Sequence, residues 1–195
     1  MSEKAVRRME ADEFLEWHLR QEGHYELVDG VPVAMAGAKR RHDRVVVNAI
    51  SALASDLGHG SCHPFSNDTA VRIPNGNIRY PDAGVDCGRF EDDSTWADAP
   101  FLVIEVLSES TRAFDLSRKL EEYKNVAGLT HIIFVDLDSP EVIHWRRDIE
   151  RGWDFEVLEG IEAVIALPDL AMTLPLATLY AGLEFKAQPR LVYPE

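Results

Sequence analysis

Two carboxylates carry the chemistry that this sequence offers. Asp82 begins a short apolar stretch in RYPDAGVD, and Glu105 lies near the middle of FLVIEVL (101–107), whose other residues are all apolar. Such a run reads as a strand buried on both faces. An unpaired carboxylate there costs several kcal/mol, on the order of a fair share of a domain's stability. Glu105 therefore requires a compensating charge.

Pairing places that charge. If residues 83 to 87 and 101 to 107 form an antiparallel hairpin, the midpoint between positions 82 and 105 falls inside the acidic, loop-like segment EDDSTWADAP. The register predicts that Asp82 and Glu105 face each other on adjacent strands; a slip of one residue would separate them onto opposite faces. Neighbouring carboxylates repel unless a cation lies between them. A hard divalent ion, Mg²⁺ or Mn²⁺, takes oxygen ligands and commonly uses one or two carboxylates with waters and phosphate oxygens.

Further groups surround this pair. FDLSRKLEEYKNVAG reads as a helix capped by Asp115 and ended by Gly128. Leu116, Leu120 and Tyr123 form its apolar stripe, and Lys119 falls on the same stripe, whereas Arg118, Glu121, Glu122 and Lys124 do not. Two readings of Lys119 are open. It snorkels or pairs with Asp115 at i, i+4, or it stands beside a metal and orients water or holds a phosphate. Glu26, in HYELVDG, is either an outward-facing strand residue or another acidic group of the site. His42, in KRRHDR, is either a helix-surface histidine or a contact for phosphate or proton transfer.

The elements that must position these groups follow from periodicity. MEADEFLEWHL reads as an amphipathic helix with Phe14, Leu15 and Trp17 inward. HYELV and VPVAM flank the turn Asp29-Gly30, a hairpin. Residues 40 to 57 form a helix with Val46, Ile50, Leu53 and Leu57 on one face. SNDTAVRI reads as a strand, Asn75-Gly76 as a turn, and HIIFVD (131–136) as a buried strand. Strand, helix and strand from 101 to 136 make a parallel crossover. The hairpin EVIHWRR with WDFEVLEG follows, and LPDLAMTLPLATLY gives an edge strand and a short helix. The fold class predicted is a mixed α/β sheet flanked by helices, in a single domain over 1–195.

Composition narrows the function classes. The formal charge of −14 argues against a surface coated with nucleic acid, and the basic clusters are KRRHDR and Arg146-Arg147. No run reaches the ~18 apolar residues of a membrane span. The start, MSEKAVRRMEADEF, lacks the apolar core of a signal peptide. Cys62 and Cys87 are read as unpaired thiols of a reducing compartment, so the expected location is cytoplasmic. FVDLDSP (134–140) is read as a turn, and HGSCH (59–63) as a loop rather than a soft-metal site.

The ordered set Pro81-Asp82, Ile104-Glu105-Val106-Leu107-Ser108 and Asp115-x3-Lys119-x3-Tyr123 resembles the Uma-type putative restriction endonucleases of the PD-(D/E)xK nuclease superfamily. Glu26 to Gly30, His42, Ser108-x-Ser110-Thr111 and Leu167-Pro168-x-Leu170 extend the resemblance over roughly residues 9 to 180. It implies a restriction-endonuclease-like α-β-β-β-α-β core and a phosphodiesterase using Mg²⁺ or Mn²⁺. By that resemblance Asp82 and Glu105 are metal ligands, Glu26 is an acidic residue from the N-terminal part, and DNA is the substrate, often cut by a homodimer. Leu107 stands where the superfamily pattern has its lysine, and the resemblance assigns that role to Lys119. Glu109 stands where the family commonly has proline. The other reading that the residues allow is a binding module that keeps a nuclease fold without cutting.

Overall fold

The run containing Glu105 is the middle of a six-stranded sheet. The computed structural model describes residues 8–35, 37–108 and 112–185. β7 (Pro100–Leu107) pairs antiparallel with β6 (Ala83–Asp86) and parallel with β8 (His131–Asp136). β3 (His63–Ser66) extends the sheet beyond β6, and the hairpin of β9 (Glu141–Asp148) and β10 (Gly152–Glu159) extends it beyond β8. All six residues of β8 are buried, as expected of a parallel strand covered on both faces.

Each face has its own cover. On one side lies α2 (Arg40–Leu57), with Val45, Ala49 and Leu53 fully buried. The sequence stripe of Val46, Ile50 and Leu57 packs half-buried on its flank. Ala49 is a small residue on this buried face, and its size hid that face in the sequence. A ribbon of β11 (Val164–Leu167) and β12 (Met172–Pro175), joined by a 3₁₀ turn (Pro168–Leu170), completes this layer with α5 (Leu176–Leu179). The expected edge strand at 167–175 is thus half of a separate two-stranded ribbon, not an edge of the main sheet.

The crossover from β7 to β8 covers the other face through Leu120, Tyr123 and Val126. It consists of α3 (Arg112–Phe114), a π-helical turn (Asp115–Lys119) and α4 (Leu120–Lys124). Asp115 therefore lies inside the helical segment and is buried, not at its cap. Gly128 takes φ +80° in the turn that follows the helix.

A second sheet, in the order Val31–Ala34, Tyr25–Val28, Ile78–Arg79 and Val71–Arg72, supplies the remaining wall. β1 (Tyr25–Val28) and β2 (Val31–Ala34) meet at Asp29 and Gly30, both at positive φ (51° and 79°), as a type I′ turn requires. β4 (Val71–Arg72) and β5 (Ile78–Arg79) follow. Thr69 N–H bonds to Ser66 O, so the expected strand SNDTAVRI is broken by a turn. α1 (Ala11–His18) packs Phe14 and Leu15 against this sheet.

The cysteines are not free. Cys62 and Cys87 form a disulfide, with Cα atoms 4.0 Å apart. His63 pairs with Asp86, so the two cysteines face each other one residue beyond the ladder. They are 25 positions apart, and only the strand register reveals the pair. Asp136 Oδ1 accepts the Asp138 and Ser139 amides, the turn expected in FVDLDSP. Among the described residues no helix is long and apolar enough to cross a membrane. Ser110 and Thr111, part of the family-like pattern, lie outside the described residues, as does Glu109.

Candidate active site

Ala83 pairs with Ile104, so Asp82, one residue before β6, falls opposite Glu105. Asp82 Oδ2 accepts the Val106 amide at 2.7 Å and lies 3.2 Å from His42 Nε2 at the start of α2. Asp82 and His42 keep about 15% of their side-chain surface exposed (14% and 15%) and form the solvent-facing side of the site. Burial lowers the His42 pKa, but its bond to the Asp82 carboxylate outweighs that, and the net shift is upward.

Glu105 is compensated from the crossover. Its Oε1 accepts Lys119 Nζ at 3.0 Å and the Tyr123 hydroxyl at 2.6 Å. The same ammonium lies 3.2 Å from Glu26 Oε1 and 3.5 Å from Asp115 Oδ1. Lys119 thus sits among three carboxylates, and their attraction raises its pKa against the effect of burial. Glu105 is raised as well, which for a carboxyl disfavours the charge. Burial, with the charges of Asp82, Asp115 and Glu26, drives it up to about 8 against the pull of Lys119. Tyr123 is held well above its usual range by burial and by the same carboxylates.

Behind Glu26 stands Arg79, with no exposed surface. Its Nη1 donates to Glu26 Oε2 at 2.8 Å and its Nε to Glu122 Oε2 at 2.6 Å. Glu122, read from the stripe as lying off the buried face, is in fact buried. The crossover is enclosed by the main sheet on one side and the small sheet on another, so two of its faces are covered.

The donor set suits a hard cation. Within this cluster the buried carboxylates Glu26, Glu105, Asp115 and Glu122 outnumber the buried cations Arg79 and Lys119 by four to two. Asp82 and Glu105 offer the two carboxylates that a largely hydrated Mg²⁺ or Mn²⁺ takes from protein. Among the described residues no three His, Cys, Asp or Glu side chains form a metal-holding group.

The family described as "Putative restriction endonuclease", Uma2, matches residues 11–177. The chain belongs to the Uma2 family. Two relatives come from Synechocystis sp. strain PCC 6803. The uncharacterized protein slr1290 is 27% identical over 183 residues, covering 91% of this chain and 94% of its own. The uncharacterized protein sll1609 is 28% identical over 159 residues, covering 80% and 90%. The crystal structure of a putative nuclease belonging to DUF820 from Anabaena variabilis superposes with a TM-score of 0.71 at 20% identity. It covers 89% of this chain and 98% of that one, a shared fold.

In this Uma2 chain, Glu26, Glu105 and Lys119 come together in direct contact, while Asp82 and His42 pair beside them. Sequence reasoning assigned no site role to Arg79, Glu122 or the Tyr123 hydroxyl. Arg79 stands between apolar or aromatic neighbours in NIRYPD, three residues before Asp82, and that placement is the signal it carried.

Proposed function

We propose that the chain is a divalent-metal-dependent endonuclease that hydrolyses phosphodiester bonds in DNA. The observation that carries this reading is the facing pair Asp82 and Glu105 with Lys119 on Glu105. Asp82 and Glu105 would hold Mg²⁺ or Mn²⁺, which when bound polarises a phosphoryl oxygen and acidifies a coordinated water. Lys119 supplies a fixed positive charge to oppose the negative charge that develops during phosphoryl transfer. Glu26, Asp115 and Tyr123 keep that charge and Glu105 in place. His42 stands at the exposed edge, where it can donate to a phosphate.

The N-terminal end of α2, which carries His42, also favours a polyanionic substrate. Lys39, Arg40 and Arg44 are exposed, and among the described residues none of them pairs with a carboxylate. A chain of net charge −14 thus keeps exposed cations at the start of the helix that bears His42, which favours phosphate contacts.

The test is cleavage of supercoiled plasmid with Mg²⁺ or Mn²⁺ by wild type, Asp82→Ala, Glu105→Gln and Lys119→Ala. Metal-dependent nicking by wild type and its loss in all three folded variants is the expected result. Full cleavage by Asp82→Ala or Glu105→Gln would remove the assignment. A folded wild type that cuts no substrate with either metal would leave a nucleic-acid or protein-binding module on a nuclease fold.

A further inference from the structure

We infer that Arg79 is the positioning residue of this site: it fixes Glu26, and through Glu26 it aims the Lys119 ammonium at Glu105. As an account of catalysis this rests on the nuclease reading; as an account of geometry it stands without it.

Among the described residues Arg79 is one of the largest fully buried side chains, and a guanidinium stays charged at any accessible pH. Burying it costs several kcal/mol, and a core that needed only volume is served as well by an apolar side chain. Its contacts have a direction. One nitrogen takes Glu122 on α4, another takes Glu26 on β1. Glu122 is itself anchored, by Asn77 Nδ2 at 2.7 Å and by Arg118 Nε at 3.1 Å, and Arg118 continues to Asp29 Oδ1 at 2.5 Å. The guanidinium is therefore held from one side and grips Glu26 with the other.

A carboxylate is planar, so fixing one oxygen orients the second. With Oε2 on Arg79, Glu26 presents Oε1 to the Tyr80 amide at 3.3 Å and to Lys119 at 3.2 Å. The third nitrogen, Nη2, is buried with no hydrogen-bond partner among the described residues, and the group lies 5.2 Å from the Phe114 ring centroid. The orientation of Arg79 thus serves the two carboxylates at the expense of its own hydrogen bonding. Asn77, Arg79 and Asp82 also share one short stretch of chain, which ties the anchor and the metal-facing carboxylate to the same backbone.

The test uses the full chain and two variants. Arg79→Lys keeps the charge but cannot span both carboxylates. Arg79→Met with Glu122→Gln removes the cation together with one of the charges it would strand. Two quantities are read. One is the ¹⁵N signal of the Lys119 ammonium, identified by its loss in Lys119→Met; the other is kcat and KM for plasmid cleavage at saturating Mn²⁺. Folding is checked by circular dichroism.

Arg79→Lys is expected to fold, to shift the Lys119 signal, and to lower kcat about tenfold or more, with KM within about twofold. The double variant, where folded, extends both changes in the same direction. A folded Arg79→Lys with both readouts at wild-type values overturns the inference. If wild type cleaves nothing while the Lys119 signal still responds, the positioning role stands and the nuclease reading falls. If wild type cleaves and the signal does not respond, the nuclease reading stands and the positioning role falls.

Discussion

Lys119 Nζ stands 3.0 Å from Glu105 Oε1, closer than to Glu26 (3.2 Å) or Asp115 (3.5 Å). One buried ammonium therefore contacts three buried carboxylates, of which Glu26 is also held by Arg79. Replacing it with Met, of similar volume, strands those charges at a cost of about 3–5 kcal/mol. Urea denaturation checks this. A Lys119→Met variant within about 1 kcal/mol of wild type would show that the carboxylates are balanced by other means.

Tyr123→Phe removes one hydroxyl, at 2.6 Å from Glu105, and leaves the ring in the core. A hydrogen bond to a charged group contributes roughly 1.5–3 kcal/mol. The variant is expected to lose that much stability and to cleave more slowly, with the fold kept. A gain in stability would mean that the hydroxyl is a burden rather than a brace.

Gly84 lies on β6, two residues after Asp82, and pairs with Phe65 on β3. A Cβ at Gly84 would come 2.2 Å from the Phe65 ring, so the ring must swing away. Gly84→Ala is expected to destabilise by about 1–3 kcal/mol. The effect should shrink in a Phe65→Ala background, which a double-mutant cycle measures. Equal costs in both backgrounds would place the clash elsewhere.

His131 Nδ1 and His144 Nε2 lie 3.0 Å apart on β8 and β9, and both rings are buried. His131 Nε2 approaches Asp169 Oδ2 at 3.4 Å without the geometry of a hydrogen bond. Burial, reinforced by the neighbouring imidazole, holds His131 down to about 4, and burial lowers His144 as well. In the unfolded chain both titrate near 6.5 and so take up protons first as the pH falls. The stability they contribute is present above pH 6.5 and is lost between about 6.5 and 4. Glu105, raised to about 8, shifts stability in the opposite sense over the same range, so the readout is the difference in urea midpoint between wild type and His131→Gln, and the advantage of wild type at pH 7.5 should shrink at pH 6 and again at pH 5. A difference that does not change with pH would contradict the assignment.

Mn²⁺ is expected to raise the melting temperature of wild type and not of Asp82→Ala. A ligand of the native state at 100 times its Kd adds about 2.7 kcal/mol. Equal shifts in both proteins would place the ion away from Asp82.

How far the sequence could be read follows from which interactions are local. The register of Asp82 with Glu105 was legible because both strands are short, apolar and joined by an unmistakable loop. The bulge at Val85/Asp86, which shifts the later pairs, lies on the far side and does not disturb them. Lys119 was legible because it interrupts an apolar stripe. Arg79 and Glu122 were not, because their burial depends on a second sheet that closes over the crossover, a relationship no single helix period contains. The disulfide escaped for the same reason. Asp115 was read as a cap, but the π-helical turn carries it into the cluster beside Lys119.

The Glu26–Lys119 contact joins positions 93 residues apart in the chain. A polypeptide emerging from the ribosome cannot hold this cluster until the crossover has been made and has docked on both sheets. Fragments that stop before it carry carboxylates with no ammonium to gather them. The proposed site is therefore withheld from every chain that stops short of the crossover and assembled only once both sheets and the crossover are in place.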